Sequence, residues 1–416
     1  MGRLPYRQRF SVNPRHPDVA MWTDSGTLDI TVDGGKSWRG AYSKLAPGQE
    51  KPEPAPGRRP GFWQSVGLEV TSTWNYRINP FDHNHHFICY TDVGIAYSLD
   101  RGATWWNNSR SGGSPWTNTT YDIVFDPEVK GVMWAAMSNV HDIPHWTYTH
   151  DEAKGAGGVC VSRDGGLTWQ RSNEGIPSAP VPSIVLDPKS PVGNRTLYIA
   201  AYDYGVFKSV DDGRTWKAMN NGIDLQKNSH SWLVQLHPDG TLFCGVTARR
   251  VGGRRSHNFP ECGAVYRSKD GGESWEDITA SCPLHWPNEF AVDPADSNVI
   301  YLAAGTIPRH NEGGLYKTTD GGKTWARPLK DEDFVGKGGP SYVHGMFVTM
   351  DPKDSRTVYL GTGSHGLWVT RDAGATWEQV PELPFGNVHR LTFDPDDHDT
   401  VYVTTFGGGV WKGPRP

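Results

Sequence analysis

Four acids stand where paired-carboxylate chemistry would need them. Asp92 in "YTDVG" and Asp203 in "AYDYG" end strand-like runs, and Asp122 and Glu289 each lie four residues ahead of an Asp-Pro dipeptide. Glycosidic bonds are cleaved by two carboxyl groups, one protonated as general acid and the other acting as base or nucleophile, so two of these acids facing one another would serve. Trp74, Trp116, Trp146, Trp232 and Trp286 offer aromatic faces on which sugars stack. A second chemistry draws on the same surroundings. Elimination from a uronic-acid glycan needs a base for the C5 proton and a cation for the carboxylate. His230, His285, His344 and His389 are candidate bases, Tyr121 and Tyr342 candidate acids, and Arg9, Arg77 and Arg390 candidate clamps for a carboxylate. The run "HDIPHW" adds His141, Asp142 and His145 at a metal-ligand spacing, so a divalent cation is the one addition considered for a site that otherwise needs no cofactor.

These residues must be carried by a repeat. "TVDGGKSW" at 31, "SLDRGATW" at 98, "SRDGGLTW" at 162, "SVDDGRTW" at 209, "SKDGGESW" at 268, "TTDGGKTW" at 318 and "TRDAGATW" at 370 share one pattern of Ser/Thr-x-Asp-x-Gly-x-Ser/Thr-Trp. The Asp carboxylate is placed to accept hydrogen bonds from its own turn, and the Gly two residues on supplies a positive φ. The Trp is expected to bury against a neighbouring unit. These Asp and Trp residues read as scaffold.

A second marker, a strand ending in Asp, Asn or His before Pro, recurs as "FSVNP", "YRINP", "IVFDP", "IVLDP", "VQLHP", "FAVDP", "VTMDP" and "LTFDP". That makes eight units of about 52 residues, a period that signals stacked or radial architecture. Each unit reads as four short strands rich in β-branched and aromatic residues, with no long helical period. The expected fold is all-β, a single β-propeller domain over residues 1–416 with eight blades, or seven with one irregular unit. The last unit lacks its fourth strand, which residues Leu4 to Arg7 are expected to supply, closing the ring.

The repeated turn resembles that of Asp-box, or BNR-repeat, propellers, a superfamily shared by sialidases, sortilin-type receptors, photosystem assembly factors and xyloglucanase-type endoglucanases. It implies the fold and says little of function. The stretch "VTSTWNYRINPFDHNHHFICYTDVGIAYSLD" resembles the opening of xyloglucanase-type endoglucanases, which implies that Asp92 is a catalytic carboxylate. Ile95 stands where that family has a second Gly. The family also divides its two carboxylates between tandem propellers, so a partner for Asp92 within this ring would be Glu289, Asp203 or Asp122. In an eight-membered ring the second and sixth blades are opposed, which would bring Asp92 and Glu289 face to face across the channel mouth. "YRINP" resembles the Arg-Ile-Pro signature of sialidases around Arg77, but it is also the strand marker present in every unit.

The repeated turns are expected on one face, and the long insertions 39–73, 138–157, 248–263, 306–313 and 329–343 on the other, the usual place for binding sites on a rigid scaffold. Inner strands should line the channel through Arg9, Asn75, Asp122, Ser183, Glu289 and Arg390, with Leu233 and Phe347 suggesting a shifted register in the fifth and seventh units. The insertion "TARRVGGRRSHNFPEC" gathers Arg249, Arg250, Arg254 and Arg255, which would favour an acidic glycan.

Composition narrows the partners. With 41 basic and 46 acidic residues there is no cationic footprint for nucleic acid, and no apolar run spans a membrane. "MGRLPYRQRF" has no apolar leader core, which leaves the compartment open. Cys89, Cys160, Cys244, Cys262 and Cys282 show no paired spacing and read as free thiols, with a Cys262–Cys282 bridge as the alternative. The three readings are a glycoside hydrolase acting as a monomer on an oligo- or polysaccharide, a uronate lyase, and a non-catalytic binding platform.

Overall fold

The computed structural model describes residues 9–23, 28–49, 61–65, 72–107, 113–140, 157–252, 256–307, 309–310, 312–334, 347–381, 383 and 385–416. Each sequence unit forms its own antiparallel sheet, strands in chain order. The second sheet is Thr73–Asn79, Asp82–Tyr90, Gly94–Ser98 and Trp106–Asn107, and the sixth is Pro287–Asp293, Asp296–Ala304, Gly314–Thr318 and Ala326–Lys330. The eighth has three strands, Val388–Phe393, Thr400–Thr405 and Val410–Pro414. Among the described residues helix is confined to one turn, Asp331–Phe334, and no helix is long and apolar enough to cross a membrane.

Hydrogen bonds between the first strands of successive sheets trace the ring. Asn75 Nδ2 donates to the Tyr121 carbonyl at 2.8 Å, Ser183 Oγ to Val234 at 3.2 Å, Gln235 Nε2 to Phe290 at 2.7 Å and the Leu391 amide to Thr349 Oγ1 at 3.3 Å. Thr392 Oγ1 then donates to the Tyr76 carbonyl at 2.9 Å, so the eighth sheet returns to the second. Packing of Thr119–Phe125 on Ser183–Leu186, and of Pro287–Asp293 on Phe347–Asp351, completes a closed circuit of seven sheets among the described residues.

Eight repeat-bearing sheets are thus present among the described residues, and seven of them make this circuit. The first sheet, Arg9–Asn13, His16–Thr23, Leu28–Thr31 and Arg39–Gly40, has the local pattern but not the burial. Phe10 is 60% exposed and the Trp of its turn, Trp38, 42%. Arg9 therefore leaves the list of channel-lining residues. Leu4 to Arg7, expected to complete the eighth sheet, lie outside the described residues.

The repeated turn behaves as its chemistry requires. In the fourth sheet Asp211 Oδ1 accepts from Ser209 Oγ at 2.8 Å and from the Thr215 amide at 2.9 Å, while Oδ2 accepts from Thr215 Oγ1 at 2.6 Å. Gly213, at φ +76°, donates its amide to Ser209 Oγ at 2.9 Å. Trp216 is buried and its Nε1 donates to the Ser172 carbonyl of the preceding unit at 2.8 Å, so turn and neighbour are fixed together. Trp275 and Trp325 make the same step to Met219 and Ile278. These Asp residues are fully committed to the scaffold.

Inner strands carry a feature absent from any period-two reading. Register shifts fall at Trp74, Tyr121, Trp232 and Asn288, and across His389 and Arg390. A bulge adds one residue to a strand and re-aims the side chains around it. Here the bulged residue is Trp74, Tyr121, Trp232 or Asn288, and the residue after it, Asn75, Asp122, Leu233 or Glu289, stands on the cavity wall. The fifth sheet does shift register, between Ser231 and Leu233, but its neighbours shift at the matching place, so Leu233 holds the same position as their polar residues.

Candidate functional site

A cavity of about 330 Å³ lies on the ring axis, lined among others by Arg77, Asp122, Gln235, Glu289 and Arg390. Its charges are paired across sheets. Arg77 grips Asp122 with two parallel bonds, Nε to Oδ1 at 2.7 Å and Nη2 to Oδ2 at 2.8 Å. Arg390 Nη2 reaches past the seventh sheet to Glu289 Oε2 on the sixth, and its Nη1 donates to the Trp74 carbonyl at 2.7 Å. Burial pushes the Glu289 carboxyl above its ordinary range, and the Arg390 guanidinium offsets this only in part. Burial disfavours the charge on Arg77, yet Asp122 outweighs it and holds the guanidinium charged.

The bulged aromatics pack against one another and form part of the wall of this cavity. Trp74 meets Trp232 at 5.6 Å, Tyr121 at 5.8 Å and the His389 ring, nearly parallel, at 5.5 Å between centroids. Trp74 Nε1 donates to Thr91 Oγ1 at 2.7 Å, and Trp232 Nε1 donates to the Asn288 carbonyl. Thr91 precedes Asp92 and Asn288 precedes Glu289. The indole pair thus ties together the segments at two of the four proposed acids, through a side chain at Thr91 and the backbone at Asn288.

Burial revises the roles that the sequence suggests for the aromatics. Trp74, Trp116, Trp232 and Trp286 are all 5% exposed or less, so none offers a free face for a sugar in this conformation. Trp116 lies in the core with Arg171 over its ring, and Trp286 packs with Ala248, Phe259 and Ile307. Trp146 lies outside the described residues, as do His344, Tyr342, His141, Asp142, His145, Arg254 and Arg255.

The histidines fare similarly. His389 is buried and its Nδ1 sits 2.9 Å from the Thr73 carbonyl; burial depresses it to about 3, which makes it a poor base near neutrality. His230 is buried, stacked on Tyr202 at 4.6 Å, with Nε2 3.1 Å from Asp203 Oδ1. Asp203 is thereby engaged as a histidine partner. Tyr121 is buried with its hydroxyl 3.2 Å from Ser138 Oγ. His285 lies against Glu312, with Nδ1 3.0 Å from Oε2.

Asp92 stands apart as an exposed acid at the end of a second strand, at φ +69°, with Asn118 Nδ2 donating to Oδ1 at 3.3 Å. Asp203 occupies the equivalent turn two sheets on, at φ +72°. Positive φ in two non-glycine residues at matching positions marks a turn held against local preference. The expected face-to-face pairing of Asp92 and Glu289 is not what occupies Glu289, whose direct partner is Arg390. The five cysteines are free thiols, and Cys262 and Cys282 are not bridged.

His389 gives a pH test. A buried imidazole depressed from 6.5 to about 3 is neutral in the fold but takes a proton when the chain unfolds. Its contribution is present above pH 6.5 and is lost as the pH falls toward 3. His389→Phe is expected to flatten the decline of urea-unfolding stability across that interval. An unchanged slope would remove His389 as its source.

No family model matches the chain. It is 28% identical over 261 residues to a xyloglucanase of Hypocrea jecorina, covering 55% of this chain and 29% of that protein. Among solved structures it is similar to YCF48 from Cyanidioschyzon merolae, at 16% identity and a TM-score of 0.54, over 83% of this chain and 97% of that one. It is similar to the GH74 xyloglucanase from Xanthomonas campestris at 16% identity and a TM-score of 0.52, over 96% of this chain and 59% of that one. The fold is a β-propeller. The chain spans between 13 and 36% of the length of the curated xyloglucanases it matches.

The ion pairs between sheets and the bulges leave no mark in the sequence. The group His285, His310 and Glu312 leaves one trace, the "HNE" spacing within an insertion already marked as long.

Proposed function

We propose that the chain is a glycoside hydrolase acting on an oligo- or polysaccharide, with Glu289 as general acid and Asp92 as its partner carboxylate at the channel mouth. The observation that carries the reading is the buried Glu289, held toward its protonated form by burial in a cavity that also contains Asp122. A carboxyl with a raised pKa working with a second, exposed acid is the division of labour that glycoside hydrolysis needs. The likeness to a xyloglucanase over 55% of the chain supports the same class, and makes xyloglucan the first substrate to try. Asp122, clamped by Arg77, is a positioning group in this scheme, and Asp203, engaged by His230, is outside it.

Elimination is the weaker reading. Its bases, His230 and His389, are buried in stacked or hydrogen-bonded positions, and Tyr121 is bonded to Ser138. One observation favours the platform instead: the channel charges satisfy one another, as in a scaffold with no reacting group to serve.

Asp92→Asn tests the assignment. Xyloglucan turnover is expected to fall by at least about a hundredfold, with melting unmoved because the side chain is exposed. Retained turnover removes Asp92 from the reaction.

A further inference from the structure

We propose that His285, His310 and Glu312 form a binding site for a late first-row divalent cation, zinc by preference, with the Cys262 thiolate as fourth ligand. The site goes beyond the hydrolase reading and stands whether or not that reading does.

The donor atoms of His285, His310 and Glu312 all lie within 4.8 Å of one another. Glu312 Oε2 is 3.0 Å from His285 Nδ1, the two imidazole rings are 3.6 Å apart between centroids, and Cys262 Sγ is 3.9 Å from His285 Nδ1. Nitrogen and oxygen ligands around tetrahedral zinc are separated by about 3.3 Å, given bonds near 2.0 Å. The His285, His310 and Glu312 donors are already grouped near that spacing, and Cys262, outside the 4.8 Å group but beside His285, completes the set by turning its side chain inward.

Three segments meet here, each held by its backbone. Gly263 bridges Leu284, which fixes Cys262 beside His285, and Ile307 bridges His310. Glu312 is oriented by its surroundings, its Oε2 accepting the His285 amide at 2.8 Å and its carbonyl accepting Tyr316 Oη at 2.8 Å. The His285 carbonyl accepts the Ala248 amide at 2.8 Å. Such outer contacts are what orients a metal-bound side chain. Beneath the group lies the apolar cluster of Ala248, Phe259, Trp286 and Ile307, while His310 and Glu312 keep 26 and 30% of their side chains open to solvent. An ion can enter from outside and finds a dry floor.

The donor set identifies the ion class. Two imidazoles, one carboxylate and one thiolate suit zinc or its neighbours and not calcium or magnesium, which take oxygen ligands. The thiolate and carboxylate together neutralise a dication. Bound there, the cation would pin the 306–313 insertion and the Cys262 loop to the segment that leads into Pro287–Asp293, the strand that carries Glu289.

The test uses the full chain, stripped with a chelator and desalted. Zinc titrated by calorimetry is expected to bind as a single equivalent and to raise the melting temperature. Cobalt in its place is expected to give four-coordinate visible bands with a sulfur charge-transfer band in the near ultraviolet. Cys262→Ser should abolish the charge-transfer band and leave the visible bands. His310→Ala and Glu312→Gln should each weaken zinc by at least about tenfold, while His16→Ala, an exposed histidine on the first sheet, should not. Wild-type zinc affinity in the His310→Ala protein, or no tight zinc binding by the parent, would overturn the site. Circular dichroism of each variant separates lost binding from lost fold.

Discussion

A Glu289→Gln protein is expected to lose at least about two orders of magnitude in kcat on its glycan and to melt below the parent. The first effect follows from removing the only proton the scheme can place on the leaving oxygen. The second follows from the partner. Glu289 and Arg390 are 5 and 15% exposed at their side chains, and glutamine leaves the guanidinium with a hydrogen-bond acceptor but no opposite charge. Breaking a fully charged buried pair costs about 3 kcal/mol or more, and with Glu289 held toward its protonated form the loss is below that. Rate and stability separate in a second variant: Arg390→Met added to Glu289→Gln should recover much of the melting temperature and none of the turnover. A Glu289→Gln protein that is merely less stable, with undiminished kcat, would reduce Glu289 to half of an ion pair.

The largest effect on stability is expected at Arg195. Its side chain is wholly buried, with Nε 2.9 Å from Asp126 Oδ2, Nη2 2.7 Å from Asp126 Oδ1 and 3.0 Å from Glu128 Oε1, and it also donates to the Ser190 carbonyl. Asp126 closes the first strand of the third sheet and Arg195 leads into the second strand of the fourth, so the pair joins two blades. Arg195→Met leaves the Asp126 carboxylate buried and uncompensated, a loss of about 3 to 5 kcal/mol by urea unfolding near neutral pH. Burial alone would raise the Asp126 carboxyl; the bonds from Arg195 and from the Glu128 and Val129 amides outweigh it and hold it below 3.8. A depressed carboxylate contributes above the unfolded pKa and loses that contribution as the pH falls through the folded one. The parent should therefore weaken below pH 3.8, and Arg195→Met should show less of that decline. A change under about 1 kcal/mol would mean that packing and the other bonds between the third and fourth blades, Trp216 to Ser172 among them, carry the junction.

What is legible in the sequence follows from the range of the interactions. The repeated turn is closed by groups four residues apart or fewer, such as Ser209, Asp211, Gly213 and Thr215, so its role can be read from one octapeptide. The strand marker yields eight sheets for the same reason. Whether a sheet joins the circuit depends on partners far away in the chain, and the first unit has the same local pattern as the others with Phe10 and Trp38 left exposed. Trp74 and Trp232 read in the sequence as faces for sugar stacking; at one-residue bulges they pack edge to face against each other instead. Glu289 and Asp122 lie on the channel as their strand positions imply, but their arginine partners are 101 and 45 residues away, beyond any local signal. Asp92 stands out by its strand-end position and by resemblance, both local signals, and it sits in an exposed turn.

The measurement closest to the central claim is incubation of the purified full chain with neutral and uronic-acid glycans, xyloglucan among them, following reducing ends and unsaturated-uronate absorbance in the same samples. New reducing ends from a neutral glycan without absorbance are the expected result. Absorbance would contradict hydrolysis and return the chemistry to elimination, and silence in both channels would leave the ring as a binding platform.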